Sequence, residues 1–369
     1  MKQKILICHF DLSHGGAEKV LVNLLKCLDY SKYEVSLLLL FKYGVNLQSL
    51  PSNVKVIYLF NRKPFRGITV LLKLLPPRLL HKLLIKEKYD IEIAYLEGAP
   101  TRIISGCPNE DTKLFSWVHT RVGKDFFNPY RSLNEAKKAY HRFNKVVFVS
   151  DATKQVFQTK TGWDNLLCEV CHNVIDVEEI KTLSQESISI DLSHLKINMC
   201  SVGKLTEQKG HTRMIRILSE LNHKLTKDWQ LFILGNGDQK QYIEDMLEEY
   251  GLKDHVHLLG YDTNPYKYVS KMDVFICASY NEGYSTAVTE SIVVGTPVIT
   301  TDCPGMSEIL GDSGAGIIVE NSYEGLRDIT EALLTGKIDI QSLKLNAIKR
   351  AKHFERSNIT EFEDVIYGN

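Results

Sequence analysis

Two glutamates eight residues apart, Glu282 and Glu290 in "NEGYSTAVTESIVVGTPVIT", have the type and spacing to do chemistry. Glu282 follows the apolar run "DVFICAS" and directly precedes Gly283, which puts it on a loop at the carboxyl end of a strand. Glu290 falls within "STAVTESIVVG", whose apolar spacing predicts a buried helix closed by Gly295 and Pro297. A carboxylate among Val288, Ile292, Val293 and Val294 is costly unless a donor meets it, and a ribose diol supplies two. The bland alternative is an exposed loop glutamate followed by one in a helix interior. Three glycine turns add anion-binding candidates: "GGAEK" (Gly15 to Lys19), "GKLTEQKG" (Gly203 to Gly210) and "GNGD" (Gly235 to Asp238). Lys204 and Lys209 bracket the second. Singly each glycine serves equally well as a tight bend. In combination, cations beside one turn and carboxylates beside another suit a phosphate joined to a sugar.

These side chains need strand ends and helix starts to hold them. The apolar runs "KILICHF", "EVSLLLLF", "VKVIYLF", "DIEIAYLE", "KLFSWVHT" and "KVVFVS" alternate with helical patterns. "INMCSVG", "WQLFILG", "HVHLLGY", "DVFICAS", "PVITT" and "AGIIVE" repeat the alternation. Strands that are apolar throughout imply parallel sheets covered on both faces, twice over. A chain of 369 residues with 44% hydrophobic content suits two such domains, with a cleft between them. The polar stretch 181–196 is the candidate boundary, giving domains at 1–180 and 181–355, with 356–369 as a terminal helix packing back on the first. Ligands of such sheets sit beyond the carboxyl ends of strands, where all three glycine turns fall.

Composition excludes several classes. Lys+Arg and Asp+Glu both number 45, and no nucleic-acid module appears, so nucleic acid is not an expected partner. No Gly-x-Gly-x-x-Gly or Walker A loop is present, which argues against a dinucleotide enzyme or a P-loop protein. The start lacks a long apolar region and cleavage site, and no apolar run approaches the ~20 residues of a membrane span, so a cytoplasmic protein is expected. The eight scattered cysteines suit reduced, buried thiols. "CEVCH" (Cys168, Cys171, His172) matches haem-attachment spacing but lies in a β-like run without an export signal. His255 and His257 share a strand face with no third ligand nearby, and read as ordinary strand residues.

The stretch from Ser279 to Leu310, with "GGAE", "WVHT", "HNVID", "GKLTEQKG" and "LLGY" in order, resembles the retaining glycosyltransferases of family 4 over nearly the whole chain. The resemblance implies the GT-B fold: two facing Rossmann-like doubly wound domains with an interdomain cleft, the second binding a nucleotide sugar. It implies that Glu290 holds the ribose and that Glu282 contacts the donor sugar near the reacting face. Lys204 and Lys209 would neutralise the diphosphate, and the Gly16 N–H would reach it from the first domain. His119 would contact the donor sugar, and Gly283, Tyr284 and Ser285 would begin the helix facing the donor. Lys204 stands where the family often has Arg, removing a bidentate contact. Pro304 and Gly305 stand where it often has two glycines. No Asp-x-Asp occurs, so no metal and no cofactor are expected, and the implied hexosyltransferase reaction retains configuration.

Residues 1–180 carry 26 Lys and Arg against 18 Asp and Glu, leaving 19 against 27 in the remainder. Much of the excess lies in 61–90, where Arg62, Lys63, Arg66, Lys73, Arg78, Lys82, Lys86 and Lys88 mix with leucines. Such a surface suits anionic lipid headgroups or a lipid-diphosphate acceptor, hence peripheral contact with the inner face of a membrane. A pair of ordinary amphipathic helices over the first sheet is the alternative. The expected partners are a UDP-sugar donor and a lipid-linked or oligosaccharide acceptor in capsule, exopolysaccharide or lipopolysaccharide synthesis. A nucleotide-sugar epimerase and a non-catalytic nucleotide-sugar-binding subunit are the competing readings.

Overall fold

The computed structural model describes residues 2–13, 15–65, 67–190, 192, 195–222, 228–355 and 359–368, apart from the side chains of residues 69 and 71. Arg66, three residues of the 181–196 stretch and residues 356–358 and 369 of the terminal segment lie outside the described residues. Chain contacts divide the molecule into two units, Met1–Ile175 with Ser357–Asn369, and Asp176–Arg356.

All twelve apolar runs form strands. In the first unit these are β1 (Gln3–His9), β2 (Tyr33–Phe41), β3 (Lys55–Phe60), β4 (Ile91–Ala94), β5 (Lys113–Val118) and β6 (Lys145–Phe148). A seventh, β7 (Cys168–Val170), lies in the run that contains the haem-like spacing. The helices are α1 (Gly16–Cys27), α2 (Ile68–Lys73), α3 (Pro77–Leu84), α4 (Ala99–Ile104), α5 (Leu133–Tyr140) and α6 (Asp151–Thr161). The sheet is parallel throughout, in the order β3-β2-β1-β4-β5-β6-β7. It reverses direction beside β1, placing a switch point between β1 and β4. Helices cover both faces, so strands such as β4 are buried along their whole length.

The second unit begins with α7 (Val177–Ser184) and continues β8 (Ile197–Val202), α8 (His211–Leu221), β9 (Trp229–Leu234), α9 (Lys240–Glu249) and β10 (Val256–Gly260). It goes on through α10 (Tyr266–Val269), β11 (Val274–Cys277), α11 (Thr286–Val293), β12 (Val298–Thr301), α12 (Met306–Leu310), β13 (Gly316–Val319), α13 (Tyr323–Leu334) and α14 (Ile340–Phe354). This sheet is also parallel, β10-β9-β8-β11-β12-β13, with its switch point between β8 and β11. The last helix, α15 (Ile359–Tyr367), belongs to the first unit. There Phe362 packs on the Trp117 ring with centroids 5.5 Å apart, and Tyr33 donates to Glu363 at 2.8 Å. Both units are thus Rossmann-like and doubly wound.

The basic stretch 61–90 forms α2 and α3. Two arginines fix it from below: Arg102 donates to the carbonyls of Leu72 and Leu75 at 2.7 Å, and Arg131 to those of Lys73 and Leu74 at 2.5 Å. These carbonyls end α2, where helical partners run out. Glu135 accepts from Arg102 at 2.8 Å and ties the clamp to α5. Val70, Leu74, Leu79 and Leu83 nevertheless remain exposed, Leu74 by 67%. No helix among the described residues is long and apolar enough to cross a membrane.

Candidate active site

The switch point of the second sheet gathers most of the anticipated residues. Beyond β8 the chain makes an open turn with Lys204 exposed, then a 3-10 turn over Glu207–Lys209, and enters α8 through Gly210 at φ +69°. A Cβ at Gly210 would lie 1.9 Å from the Ala278 carbonyl oxygen, so only glycine lets this turn rest on the exit of β11. That close approach carries Lys209 onto Glu282. Its ammonium lies 2.7 and 3.0 Å from the two carboxylate oxygens. Ser279 donates a third hydrogen bond to Glu282 Oε1 at 2.6 Å. Burial alone would lower the Lys209 pKa; the Glu282 charge and hydrogen bonds more than offset it, and the net shift is upward. Lys209 is a fixed cation at neutral pH.

Arg213, in the first turn of α8 and buried, holds the same loop. It donates to the carbonyls of Ala278 at 2.8 Å and Ser279 at 2.9 Å and to Asn321 at 3.0 Å, with its guanidinium 4.0 Å from the Tyr280 ring centroid. His211 beside it is buried, and burial followed by the Lys209 charge pushes its pKa down to about 4. Lys209, His211, Cys277, Ser279, Glu282 and Ser285 share one recess.

Glu290 is on α11, buried, and Tyr266 donates to its Oε1 at 3.2 Å. Burial, then the Glu290 charge, raises the Tyr266 pKa well above its ordinary value, so the phenol stays a donor. Gly283 and Tyr284 precede the helix rather than beginning it. The helix starts at Thr286, and Ser285 is its cap, accepting from the Val288 N–H at 3.4 Å. Gly305, at φ +80°, approaches this turn so closely that a Cβ would meet the Gly283 carbonyl oxygen at 2.8 Å. The second glycine often present in the family is therefore not needed for that approach.

In the first unit, Gly16 is the exposed first residue of α1, with Gly15 as its N-cap. His119 directly follows β5 and is buried. Its backbone N–H donates to Glu97 Oε2 at 3.0 Å. Burial, then the neighbouring His9, pushes its ring pKa down to about 3, so it is neutral.

The remaining candidates have structural partners. All eight cysteines are free thiols, and His172 lies 3.1 Å from Glu361. The rings of His255 and His257 stack on Trp229 and Phe232. Among the described residues, one trio has ligand atoms within 4.8 Å of one another: His81, Glu92 and Cys107 of the first unit, all buried. The ring and carboxylate are 2.7 Å apart. Burial works against the charged ring, but hydrogen bonds to Cys107 and Glu92 raise its pKa to about 9, so the trio is a buried ion pair with a thiol beside it.

The switch point of the second sheet thus presents a lysine, two carboxylates and a capped helix start, and the chain belongs to the GT-B glycosyltransferases. Residues 14–179 match Glycosyltransferase Family 4, and residues 188–353 match Glycosyl transferases group 1. A Campylobacter jejuni relative is 28% identical over 97% of both chains. It is an N-acetylgalactosamine-N,N'-diacetylbacillosaminyl-diphospho-undecaprenol 4-alpha-N-acetylgalactosaminyltransferase. Among solved structures, Anabaena HepE in complex with UDP has a TM-score of 0.71 at 16% identity, covering 99% of this chain and 98% of that one. Sucrose-phosphate synthase from Thermosynechococcus elongatus has a TM-score of 0.77 at 14% identity, with the same coverage. At these identities the structural likeness establishes the fold.

Proposed function

We propose that the chain is a metal-independent, retaining hexosyltransferase. It moves a sugar from a UDP-sugar to a lipid-linked or saccharide acceptor in bacterial surface-polysaccharide synthesis. The observation that carries this reading is the Lys209–Glu282 pair at the switch point of the second sheet, with Glu290 on the adjoining helix. Glycosyl transfer develops positive charge on the ring and negative charge on the departing diphosphate, so stabilising the leaving group is the main task. Lys209, turning from Glu282 to the diphosphate with Lys204 beside it, supplies that charge without a metal. The N–H groups around Gly283, Tyr284 and Ser285 add donors.

Glu290, which accepts from Tyr266, is the acceptor for the ribose diol, whose hydroxyls donate to a carboxylate. Glu282 contacts the donor sugar beside the reacting face. The acceptor's proton passes to the departing phosphate oxygen as the new glycosidic bond forms on the same face, so Glu282 need not become a covalent nucleophile.

The relatives support the partners. The Campylobacter enzyme's name describes an undecaprenol-diphosphate-linked acceptor, and HepE was solved with UDP. The acceptor binds the first unit, where Lys73, Arg78 and Lys82 flank the exposed Leu74, Leu79 and Leu83 of the α2–α3 segment. Peripheral contact with an anionic membrane follows from that chemistry. The test is Glu282→Ala in a transfer assay with UDP-sugars and undecaprenol-diphosphate-linked sugars. Turnover should fall ~100-fold or more with the fold intact, the range for losing a transition-state contact. Undiminished turnover would defeat the site assignment.

A further inference from the structure

The amino end of the first sheet holds a cluster that the transfer chemistry does not use. Glu92 is the second residue of β4, at the opposite end of the strand from the place where such sheets bind their ligands. His81 comes to it from α3, and Cys107 from the chain just after α4. Gly106 makes the meeting possible. A Cβ there would lie 2.0 Å from the Pro77 carbonyl oxygen, so only glycine lets the exit of α4 rest against the start of α3. All three side chains are buried, and an imidazole nitrogen, a carboxylate oxygen and a thiol sulfur lie within 4.8 Å of one another.

A buried carboxylate needs strong donors. Glu92 Oε2 has the His81 ring at 2.7 Å, but the partner of Oε1 is the Cys107 thiol at 3.7 Å, a weak donor at long range. Imidazole, thiolate and carboxylate are, by contrast, the side-chain ligands of zinc. Ligands about 2.0–2.3 Å from a tetrahedral ion stand about 3.3–3.8 Å from one another. The Cys107–Glu92 separation of 3.7 Å already has that length. So does the 3.8 Å from Cys107 Sγ to the Asn109 carbonyl oxygen, a candidate fourth ligand. Only the His81–Glu92 hydrogen bond must open, by roughly 0.6 Å.

The surroundings are held in place. Arg142 donates to the Cys107 carbonyl at 2.6 Å; the Asn109 amide donates to Thr112 at 2.6 Å, and Thr112 to the Tyr89 carbonyl at 2.7 Å. Outer partners of this kind fix ligands for a metal. Asn109 is half-buried and gives the ion a way in from solvent.

We propose that His81, Glu92 and Cys107 form a structural zinc site, with the Asn109 carbonyl or a water as fourth ligand. On binding, Zn²⁺ takes the place of two protons, one released from the His81–Glu92 pair and one from the Cys107 thiol, so the buried cluster is neutral before and after. The ion fastens α3 to the sheet, a helix whose buried residues are Leu80 and His81. That helix carries Arg78 and Lys82 and the exposed Leu79 and Leu83. An ion at the amino end of β4 takes no part in sugar transfer.

The test is titration of the full chain, stripped of metal by a chelator and kept reduced, with Zn²⁺ and separately with Co²⁺. A single Zn²⁺ should bind per chain and raise the temperature of unfolding. Co²⁺ in its place should show the charge-transfer absorption of a thiolate ligand and the visible bands of a tetrahedral ion. Cys107→Ala should abolish the thiolate absorption and weaken Zn²⁺ by more than the about 10–100-fold that outer-shell changes cost. Cys27→Ala and Cys168→Ala, at the two partly exposed thiols, should leave both unchanged. Cys107→Ser is the second variant should Cys107→Ala not fold. Absence of stoichiometric binding by the wild type overturns the site and leaves a metal-free ion pair. A thiolate absorption that survives loss of Cys107 overturns it too.

Discussion

Replacing Lys209 by methionine removes one ammonium and leaves the carbon chain. In the folded protein that ammonium is 2.7 Å from Glu282, and the two side chains are 27% and 9% exposed. Truncating one partner of a fully buried pair costs about 3–5 kcal/mol; because Lys209 is partly in water and Ser279 still donates to Glu282, about 2 kcal/mol of stability is the better figure here. This contribution does not vary near neutrality. The folded pKa of Lys209 is raised, so its stabilisation is complete below the unfolded value and is lost only as pH rises through the folded one, in strong alkali. The catalytic loss is larger. Without the cation the diphosphate departs less stabilised, by about 2.7–4 kcal/mol, equivalent to ~100–1,000-fold in kcat. Lys209→Arg, which restores the charge, should recover part of that loss.

The assay is turnover and UDP-induced thermal stabilisation of wild type, Lys209→Met, Glu282→Gln and the double variant, arranged as a cycle. Groups in direct contact should couple by about 1–3 kcal/mol. A Lys209→Met protein with wild-type kcat and wild-type response to UDP would refute the leaving-group role. Zero coupling to Glu282 would refute the pairing.

Two further outcomes follow from other parts of the structure. His211 is buried neutral with a pKa of about 4, below its unfolded value, so the stability it supports is complete above about pH 6.5 and drains as pH falls toward 4. The full effect is about 3 kcal/mol, and His211→Asn should flatten the thermal-stability profile over that window; an unchanged profile contradicts the assignment. Anionic vesicles should bind the protein at low salt and release it at high salt, and Leu74→Glu should weaken binding at low salt; no binding at low salt sinks the membrane proposal.

The strands were legible because parallel strands covered on both faces are apolar along their length, and each quoted run from "KILICHF" to "AGIIVE" forms one. Glu282 and Glu290 were legible as loop and helix because Gly283 and Gly295 punctuate the segment between β11 and β12. The partners of those carboxylates were not. Tyr266 meets Glu290 from 24 positions away, and Lys209 meets Glu282 from 73, contacts fixed by how α10 and α8 pack rather than by any local pattern. Arg213 reads as an ordinary helix residue until the fold turns it onto the exit of β11. The start of α11 was misplaced because "GYS" supplies a turn and a cap before the first helical residue.

The central claim is that the second unit holds a nucleoside diphosphate through Lys209 and Glu290. The most direct measurement is thermal stabilisation of the purified protein by UDP, GDP, ADP and NAD, in wild type and in Glu290→Ala. A ligand bound at one hundred times its Kd stabilises by about 2.7 kcal/mol, ample for detection. Stabilisation by UDP that disappears in Glu290→Ala is the predicted result. No response to any diphosphate, or a response to NAD that survives the substitution, would contradict it.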